Sequence, residues 1–353
     1  MRVLICRLIA AIARRLLALR YDITVHGLEH LQRGQERTLV LPNHPAFIDP
    51  VILLSLLYPW LRVRPLVYEA NFRSLLFRPF GKLLRAISVP DLEHFSHERG
   101  LRIKAAIGEV MTGLRGGENH ILWPAGWLRR DNLERLGGAR AAADVLSGVP
   151  DARVLLIRTQ GLWGSMFSFA HTGARPDFGR CLLRGFLVLL ANGWFFAPRR
   201  RVTITIEAVP PDALPGRHRR TLNPWLERWY NVDGPETPVF VPYHFWFGPR
   251  TYRFPALENQ PRSQRDQAAP PVKAAVAELL THRLQRPLTP TEEQPQTMLD
   301  ELGLDSMDRM ELSQAIEQRF GHTVFKAPTT LGELWTLAQG AGIRKPTKPV
   351  VPG

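Results

Sequence analysis

The stretch LVLPNHPAFIDPVILL, residues 39–54, is an apolar run that is interrupted twice, by His44 and by Asp49. The segment RTLVLPNH, residues 37–44, alternates and then stays apolar, which is typical of a buried strand that ends just before His44. After Pro50 the sequence VILLSLLYPWL is apolar and compatible with a helix. We therefore place His44 at the carboxyl end of a strand, where open α/β sheets bind their ligands.

His44 and Asp49 are candidate catalytic residues because a turn at the helix entrance can bring their side chains together. On a continuous helix, residues five apart lie about 140° away from each other around the axis, so the pairing requires a turn. The carboxylate would then fix the tautomer of the imidazole and leave its other nitrogen as a general base. The same spacing also fits a pair of buried structural residues, so the pair alone does not define an activity.

A second block, ILWPAGWLRR at residues 121–130, is another apolar strand that ends in Pro-x-Gly and runs into arginines. With the strands YDITVHGLEHL before the first block and VLLIRTQGL at residues 154–162, this order resembles the glycerophospholipid acyltransferase family, which contains the bacterial lysophosphatidate acyltransferases. The resemblance covers roughly residues 20–210. It implies an acyltransferase, transferring groups other than aminoacyl groups, with a central mostly parallel sheet that is flanked by helices.

The resemblance also implies roles for individual residues. His44 would deprotonate the acceptor and Asp49 would orient His44. The substrate-binding positions of the two blocks fall on Asn43, Trp123, Pro124, Gly126, Arg129 and Arg130. The oxyanion that forms on the thioester carbonyl needs N–H donors or a cation, and Gly126 and Arg129 are the candidates nearest to the matched block.

Three positions at which the family has a charged residue depart from its pattern. The second family block normally ends in an arginine, but here LLRAISVPD ends in Asp91. The third normally reads Phe-Pro-Glu-Gly-Thr-Arg-Ser, but Ala125 replaces the glutamate and Leu128 occupies the arginine position, so the arginine is either shifted by one, to Arg129, or lost. Because a carboxylate repels phosphate, we expect an acceptor other than glycerol phosphate itself, such as an amine or an alcohol on a larger lipid.

The segment MLDELGLDSMDRMELSQAIEQRFG, residues 298–321, resembles an acyl carrier protein around its attachment site, with Ser306 as the serine that carries covalent 4'-phosphopantetheine. Asp305 or Ser306 would cap a helix that begins there. Amphipathic segments on either side predict a small four-helix bundle. An ordinary capped helix is the alternative, but it does not explain the ring of acidic residues at one helix entrance: Asp300, Glu301, Asp305, Asp308 and Glu311.

Charge divides the chain into two parts. The net charge of +14 combines +15 over residues 1–270, −4 over residues 271–340 and +3 over the last thirteen residues. We predict a membrane-docking helix at 1–20, an acyltransferase domain at 21–256, a linker at 257–271, a carrier domain at 272–340 and a flexible basic tail at 341–353. The acidic carrier surface would be attracted to the basic part, and fusion would raise the local donor concentration.

Two stretches favour a membrane surface. The first 20 residues are apolar but contain Arg7, Arg14 and Arg15, which indicates an interfacial helix rather than a bilayer-spanning one. A core helix is the alternative. The stretch CLLRGFLVLLANGWFFAPRRR, residues 181–201, fits either a membrane surface or a buried helix. We expect a peripheral protein on the cytoplasmic face of the membrane.

Composition excludes several classes of protein. The two cysteines, Cys6 and Cys181, cannot form a disulfide framework, and no His/Cys cluster has metal-ligand spacing, so we expect no metal. The basic charge is nearly all arginine, which fits anionic lipid or a genomic bias, and we expect no nucleic acid as a partner. The expected partners are membrane lipids, an acyl-ACP or acyl-CoA donor and a phosphopantetheinyl transferase. The alternative function is a non-catalytic tethered carrier that hands its acyl group to a partner enzyme.

Overall fold

The strand that precedes His44 lies inside a seven-stranded sheet. In the computed structural model of the protein, the described residues are 1–69, 78–90, 97–244, 252–255, 268–295, 297–321 and 328–339. The chain forms two compact units: unit 1 is residues 1–91 with 101–259, and unit 2 is residues 92–100 with 260–353.

The sheet belongs to unit 1 and has the order β1-β7-β6-β2-β5-β3-β4. Its strands are β1 (Tyr21–His26), β2 (Thr38–Pro42), β3 (Arg64–Tyr68), β4 (Ile87–Val89), β5 (His120–Ile121), β6 (Arg153–Gln160) and β7 (Arg200–Val209). Every pairing is parallel except that of β6 with β7. β1 and β7 therefore run opposite to the other five strands, and the prediction of a mostly parallel sheet is confirmed.

Helices cover both faces of the sheet. Those of the first unit are α1 (Arg2–Ala18), α2 (Asp49–Leu61), α3 (Arg78–Leu84), α4 (His97–Arg115, whose first residues fall in unit 2), α5 (Ala141–Gly148), α6 (Phe178–Ala191) and α7 (Arg219–Tyr230). Along β2, Val40 packs into the core with α2, whereas Leu39 and Leu41 pack into the core with α4, α5 and α7. Burial on both faces explains why β2 reads as a continuous apolar run rather than an alternating one.

Unit 2 contains three helices among its described residues: α8 (Pro270–Leu284), α9 (Ser306–Phe320) and α10 (Leu331–Ala338). They share one apolar core, in which Leu280, Ile316 and Leu334 are fully buried. The region is helical as predicted, and a fourth helix is not among the residues described.

The acidic ring predicted for unit 2 is smaller than the sequence suggests. Asp305 is the N-cap of α9 and forms a capping box with Asp308. Both carboxylates are buried, and Asp308 also pairs with Arg283 at 2.6 Å. Glu311 pairs with the same arginine. These acidic groups therefore stabilise the fold, because they accept hydrogen bonds from N–H groups at the start of the helix and pair with a nearby arginine.

The predicted interfacial stretches form α1 and α6. Among the residues described, no helix combines the length and apolarity needed to cross a membrane. α6 is not the buried helix that was the alternative for residues 181–201, because most of its large apolar side chains are exposed. Asp91, most of the predicted linker and the whole basic tail lie outside the described residues.

Candidate active site

Asn43 fixes the end of β2 to the neighbouring strand β6. Its Oδ1 accepts a hydrogen bond from the Thr159 N–H at 2.8 Å, and its Nδ2 donates to the Thr159 carbonyl at 3.1 Å. The side chain is buried. The oxygen and the nitrogen of the Asn43 side chain are therefore both bonded within the protein. This gives Asn43 a positioning role at the start of the His44 loop. Its predicted contact with substrate stays a prediction.

Replacing Asn43 by alanine is expected to lower the free energy of unfolding by about 2–4 kcal/mol, because each buried peptide group that loses its partner costs about 1–3 kcal/mol. Denaturant unfolding measures this. Asn132 is exposed, so Asn132→Ala is the matched control and should change stability by less than about 0.5 kcal/mol. Equal stability of the two variants would contradict the role given to Asn43.

The loop after Asn43 brings His44 and Asp49 together. The Nδ1 of His44 lies 2.8 Å from Oδ2 of Asp49, and α2 begins at Asp49. The carboxylate also accepts hydrogen bonds from the Trp123 indole N–H at 3.0 Å and from the Ala46 N–H at 3.4 Å. Asp49 is wholly buried, but these donors and the positive end of the α2 dipole stabilise its charge.

The surroundings of His44 suit a base. Burial alone would lower the pKa of His44, but the charge of Asp49 and the hydrogen bond to it outweigh burial, so the pKa is raised. Burial raises the pKa of Asp49, and the bonds from His44, Ala46 and Trp123 oppose that rise. A carboxylate only accepts hydrogen bonds, so Nδ1 carries the proton and Nε2 is the basic nitrogen. The His44 side chain is 13% exposed, and no group in the described part of the chain bonds Nε2.

Glu134 is a buried carboxylate beneath the same loop. Its Oε1 accepts a hydrogen bond from the His44 backbone N–H at 3.3 Å. Its Oε2 is buried and has no hydrogen-bond partner among the described residues. Burial raises the pKa of Glu134 to about 7, against the opposing charges of Arg129 and His44. Glu134 therefore supports the backbone that carries the base.

Arg129 joins the second block to the His44 loop. Its backbone N–H donates to the His44 carbonyl at 2.9 Å. Its guanidinium pairs with Glu236 at 2.6 Å and lies 4.4 Å from the ring centroid of Trp163. The N–H of Gly126, in turn, donates to the Trp123 carbonyl at 3.0 Å. The Gly126 N–H and two groups of Arg129, its backbone N–H and its Nη2, are thus bonded inside the protein. The buried Nε of Arg129 has no hydrogen-bond partner among the described residues. The predicted role of both residues at the oxyanion stays a prediction.

The remaining positions of the second block differ in exposure. Trp123 and Pro124 are buried, as are the departures Ala125 and Leu128, whereas Arg130 is exposed. Trp123 also lies beside the imidazole, with ring centroids 5.7 Å apart. Of the two arginines predicted to bind substrate, Arg130 is therefore the one whose side chain reaches solvent.

Arg175 places a cation near His44 that the sequence did not predict. Its guanidinium lies 5.6 Å from the ring centroids of both Phe47 and Tyr68. The ring of Phe47 in turn lies 6.0 Å from that of His44. Arg175 is exposed, and its charge lowers the pKa of His44. This arginine comes from the loop before α6, so no spacing in the sequence connects it to His44.

Glu134 and Glu236 are the other residues that sequence reasoning missed. One feature of the sequence could have indicated Glu134. Ala125 stands where the family pattern has a glutamate, so another acidic residue nearby could supply the missing carboxylate. Glu236 gives no such signal, since it is far from Arg129 along the chain. Within the described ranges, no group of three or more His, Cys, Asp and Glu side chains could hold a metal ion.

Ser306 lies in unit 2, as the first residue of α9. Gly303, three residues earlier, has a φ of 82°, which a glycine adopts without strain. Because Asp305 caps the helix, the cap does not depend on the serine. The start of a helix also favours a phosphodiester, since the helix N-terminus carries partial positive charge. These features fit a serine that carries 4'-phosphopantetheine.

Comparisons with known proteins gave a match to a solved structure and a match to a family model. No curated protein matches the chain. A solved structure that does match is the crystal structure of the 1-acyl-sn-glycerophosphate (LPA) acyltransferase PlsC from Thermotoga maritima. That protein is 17% identical, the match covers 66% of this chain and 79% of that chain, and the TM-score is 0.46.

A family model described as the phosphopantetheine attachment site matches residues 272–327. This range contains Ser306, the whole of α9 and all of α8 except its first two residues. The match confirms 4'-phosphopantetheine as the covalent cofactor of this part of the chain. Residues 272–327 therefore form a phosphopantetheine carrier domain of the acyl carrier type.

Proposed function

We propose that the protein is a membrane-associated acyltransferase that moves a fatty acyl group from a phosphopantetheine thioester to a hydroxyl or an amine of a lipid-like acceptor. The observation that carries the proposal is the pair of His44 and Asp49, joined at 2.8 Å after the carboxyl end of β2. The donor is the protein's own carrier domain, acyl-ACP or acyl-CoA. The carrier domain supports a thioester donor because 4'-phosphopantetheine supplies the thiol that holds an acyl group.

The proposed reaction uses His44 as the general base. Nε2 accepts the proton of the acceptor hydroxyl or amine while the acceptor oxygen or nitrogen bonds to the thioester carbonyl carbon. The C–S bond then breaks, and the leaving thiolate takes the proton back from His44. Asp49 holds Nδ1–H throughout and stabilises the imidazolium that forms between the two transfers.

The acceptor class is tested by discharge of the loaded protein. The holoprotein, acylated on its arm, is mixed with a panel of lysolipids, amines and lipid alcohols, and its intact mass is followed over time. Discharge by an amine or lipid alcohol, with lysophosphatidate unreactive, is expected from the replacements Asp91, Ala125 and Leu128. Turnover of lysophosphatidate at a comparable rate would contradict that acceptor class, and discharge by no acceptor would favour the tethered carrier.

Replacing Arg175 by alanine is expected to move the acid limb of the profile of kcat/KM against pH to higher pH. The charge of Arg175 lowers the pKa of His44, so its removal raises that pKa, and a higher pH is then needed to keep Nε2 unprotonated. The shift should shrink as salt is added, because Arg175 is exposed. Arg228, exposed on α7, provides the matched control Arg228→Ala. A limb that moves to lower pH would contradict the proposed base.

We also propose that the protein docks on the cytoplasmic face of the membrane. The support is α1, whose Leu4, Leu8, Ile12 and Leu16 are all exposed. These positions fall within about 120° of the helix circumference. The opposite side carries Cys6, Ala10 and Leu17, which are buried. An outward apolar face on a helix with several arginines is typical of an interfacial helix.

A further inference from the structure

α6 has two apolar sides. Phe178, Cys181 and Val188 face the body of unit 1, where Val188 is buried and the other two pack against the core. On the other side lie exposed large apolar residues: Leu182, Leu183, Phe186, Leu187 and Leu190. At about 100° per residue, these five fall within about 140° of the circumference. A contiguous exposed apolar surface of this kind is unusual on a helix that faces water, and it indicates an interaction site.

The turn after α6 extends this apolar surface. Phe195 is 72% exposed and Phe196 is 63% exposed. Trp194, also exposed, has a φ of 69°, a value that is unfavourable for a bulky residue. The turn is nevertheless held in place, because the buried Asn192 donates to the carbonyls of Val188 and Tyr243. Strain of this kind is often retained at functional positions.

The charge along α6 and the turn after it is positive, with Asp177 as the acidic N-cap just before the helix. From residue 178 to residue 201 the chain contains five arginines and no acidic residue. Arg180, Arg184 and Arg199 are exposed. Around α6, Arg180 and Arg184 fall at the edge of the exposed apolar arc, between that arc and the buried side. Aromatic and aliphatic side chains edged by arginines match the boundary between acyl chains and anionic headgroups.

Tyr243 connects α6 to the end of α1. The guanidinium of Arg184, on α6, lies 4.8 Å from the ring centroid of Tyr243. That of Arg20, two residues after α1, lies 6.0 Å from the same centroid. An arginine of α6 and an arginine just after α1 therefore lie against the same tyrosine.

We infer that the exposed face of α6, the turn Trp194–Phe196 and α1 form one docking surface for an anionic lipid bilayer, with the exposed arginines Arg180, Arg184 and Arg199 facing phosphate headgroups. Docking through α1 is part of the proposed function, whereas α6 and the aromatic turn are the new elements. Vesicle binding is measured without substrate, so failure of this inference is distinguishable from failure of the proposed acyl transfer.

The test uses the full-length holoprotein and co-sedimentation with vesicles of phosphatidylcholine alone or mixed with phosphatidylglycerol. Leu183→Asp combined with Leu187→Asp is expected to weaken binding to the mixed vesicles more than tenfold. The matched control combines Leu28→Asp with Val232→Asp, because both residues are exposed apolar residues outside the surface. The control should bind within about twofold of wild type, and thermal unfolding should show that all variants are folded.

Arginine variants separate the electrostatic contribution to vesicle binding from the apolar one. Arg180→Ala and Arg199→Ala are each expected to weaken binding to the mixed vesicles about fivefold, and to leave binding to phosphatidylcholine alone unchanged. Wild-type binding by the Leu183/Leu187 variant would overturn the inference. So would light scattering, without vesicles, that shows a dimer in wild type and a monomer in that variant, because α6 would then be a self-association surface.

Discussion

Replacing His44 by alanine is expected to slow acyl discharge from the loaded protein by about 10²- to 10⁴-fold, which is the usual contribution of a general base. The side chain supplies Nε2. Asp49, which Trp123 and the Ala46 N–H hold in place, orients the imidazole and stabilises its protonated form. Without the imidazole, the acceptor must lose its proton to water. The rate is measured by intact mass over time, with the acceptor identified from the panel.

His26→Ala is the control for this substitution, since His26 is an exposed histidine at the end of β1. It should discharge at the wild-type rate. Both variants should accept the phosphopantetheine arm equally, because Ser306 lies in the other unit. If His44→Ala discharged its acyl group as fast as wild type, the general base would be wrong and the tethered carrier would be favoured.

Replacing Ser306 by alanine is expected to abolish attachment of the arm and all transfer from the protein's own carrier domain. A tethered donor has an effective concentration in the millimolar range, so the loss is large even where a free donor is present at micromolar levels. Intact mass after incubation with a phosphopantetheinyl transferase checks attachment. Addition of free acyl-ACP or acyl-CoA then measures what the catalytic part does alone.

Ser313→Ala is the matched control on the same helix, where the Ser313 hydroxyl bonds the Arg309 carbonyl at 2.7 Å. That variant should gain the arm. An arm that attached to Ser306→Ala would show that another residue is modified. Full-rate turnover of free acyl-ACP or acyl-CoA by Ser306→Ala would show that these thioesters are accepted as donors without the attached arm.

The local part of the site can be predicted from the sequence. His44 and Asp49 are five residues apart, so a turn and a helix start are enough to join them, and both features can be seen in residues 39–54. The mostly parallel sheet was expected from the family resemblance, and the continuous apolar run of β2 agrees with it, since buried parallel strands have such runs. The cap of α9 by Asp305 is local as well.

Contacts between distant segments could not be predicted. Glu134 reaches the His44 N–H, and Glu236 reaches Arg129, from segments that only the folded sheet brings together. Arg175 comes to His44 from the loop before α6. The acidic ring indicated the carrier domain that the family match confirms. Charge in a sequence does not show which carboxylates are buried in hydrogen bonds and ion pairs, as Asp308 is.

The place of β1 in the sheet has a consequence for synthesis of the chain. Tyr21 pairs with Arg200 of β7, and β1 is the edge strand next to β7. At ribosomal rates of about 5–20 residues per second, about ten seconds or more pass between the emergence of these two strands. During that interval the segment of α1 has already left the ribosome, while β1 still lacks its partner strand. The order of synthesis therefore gives α1, the proposed docking helix, time to meet a lipid surface before the sheet is complete.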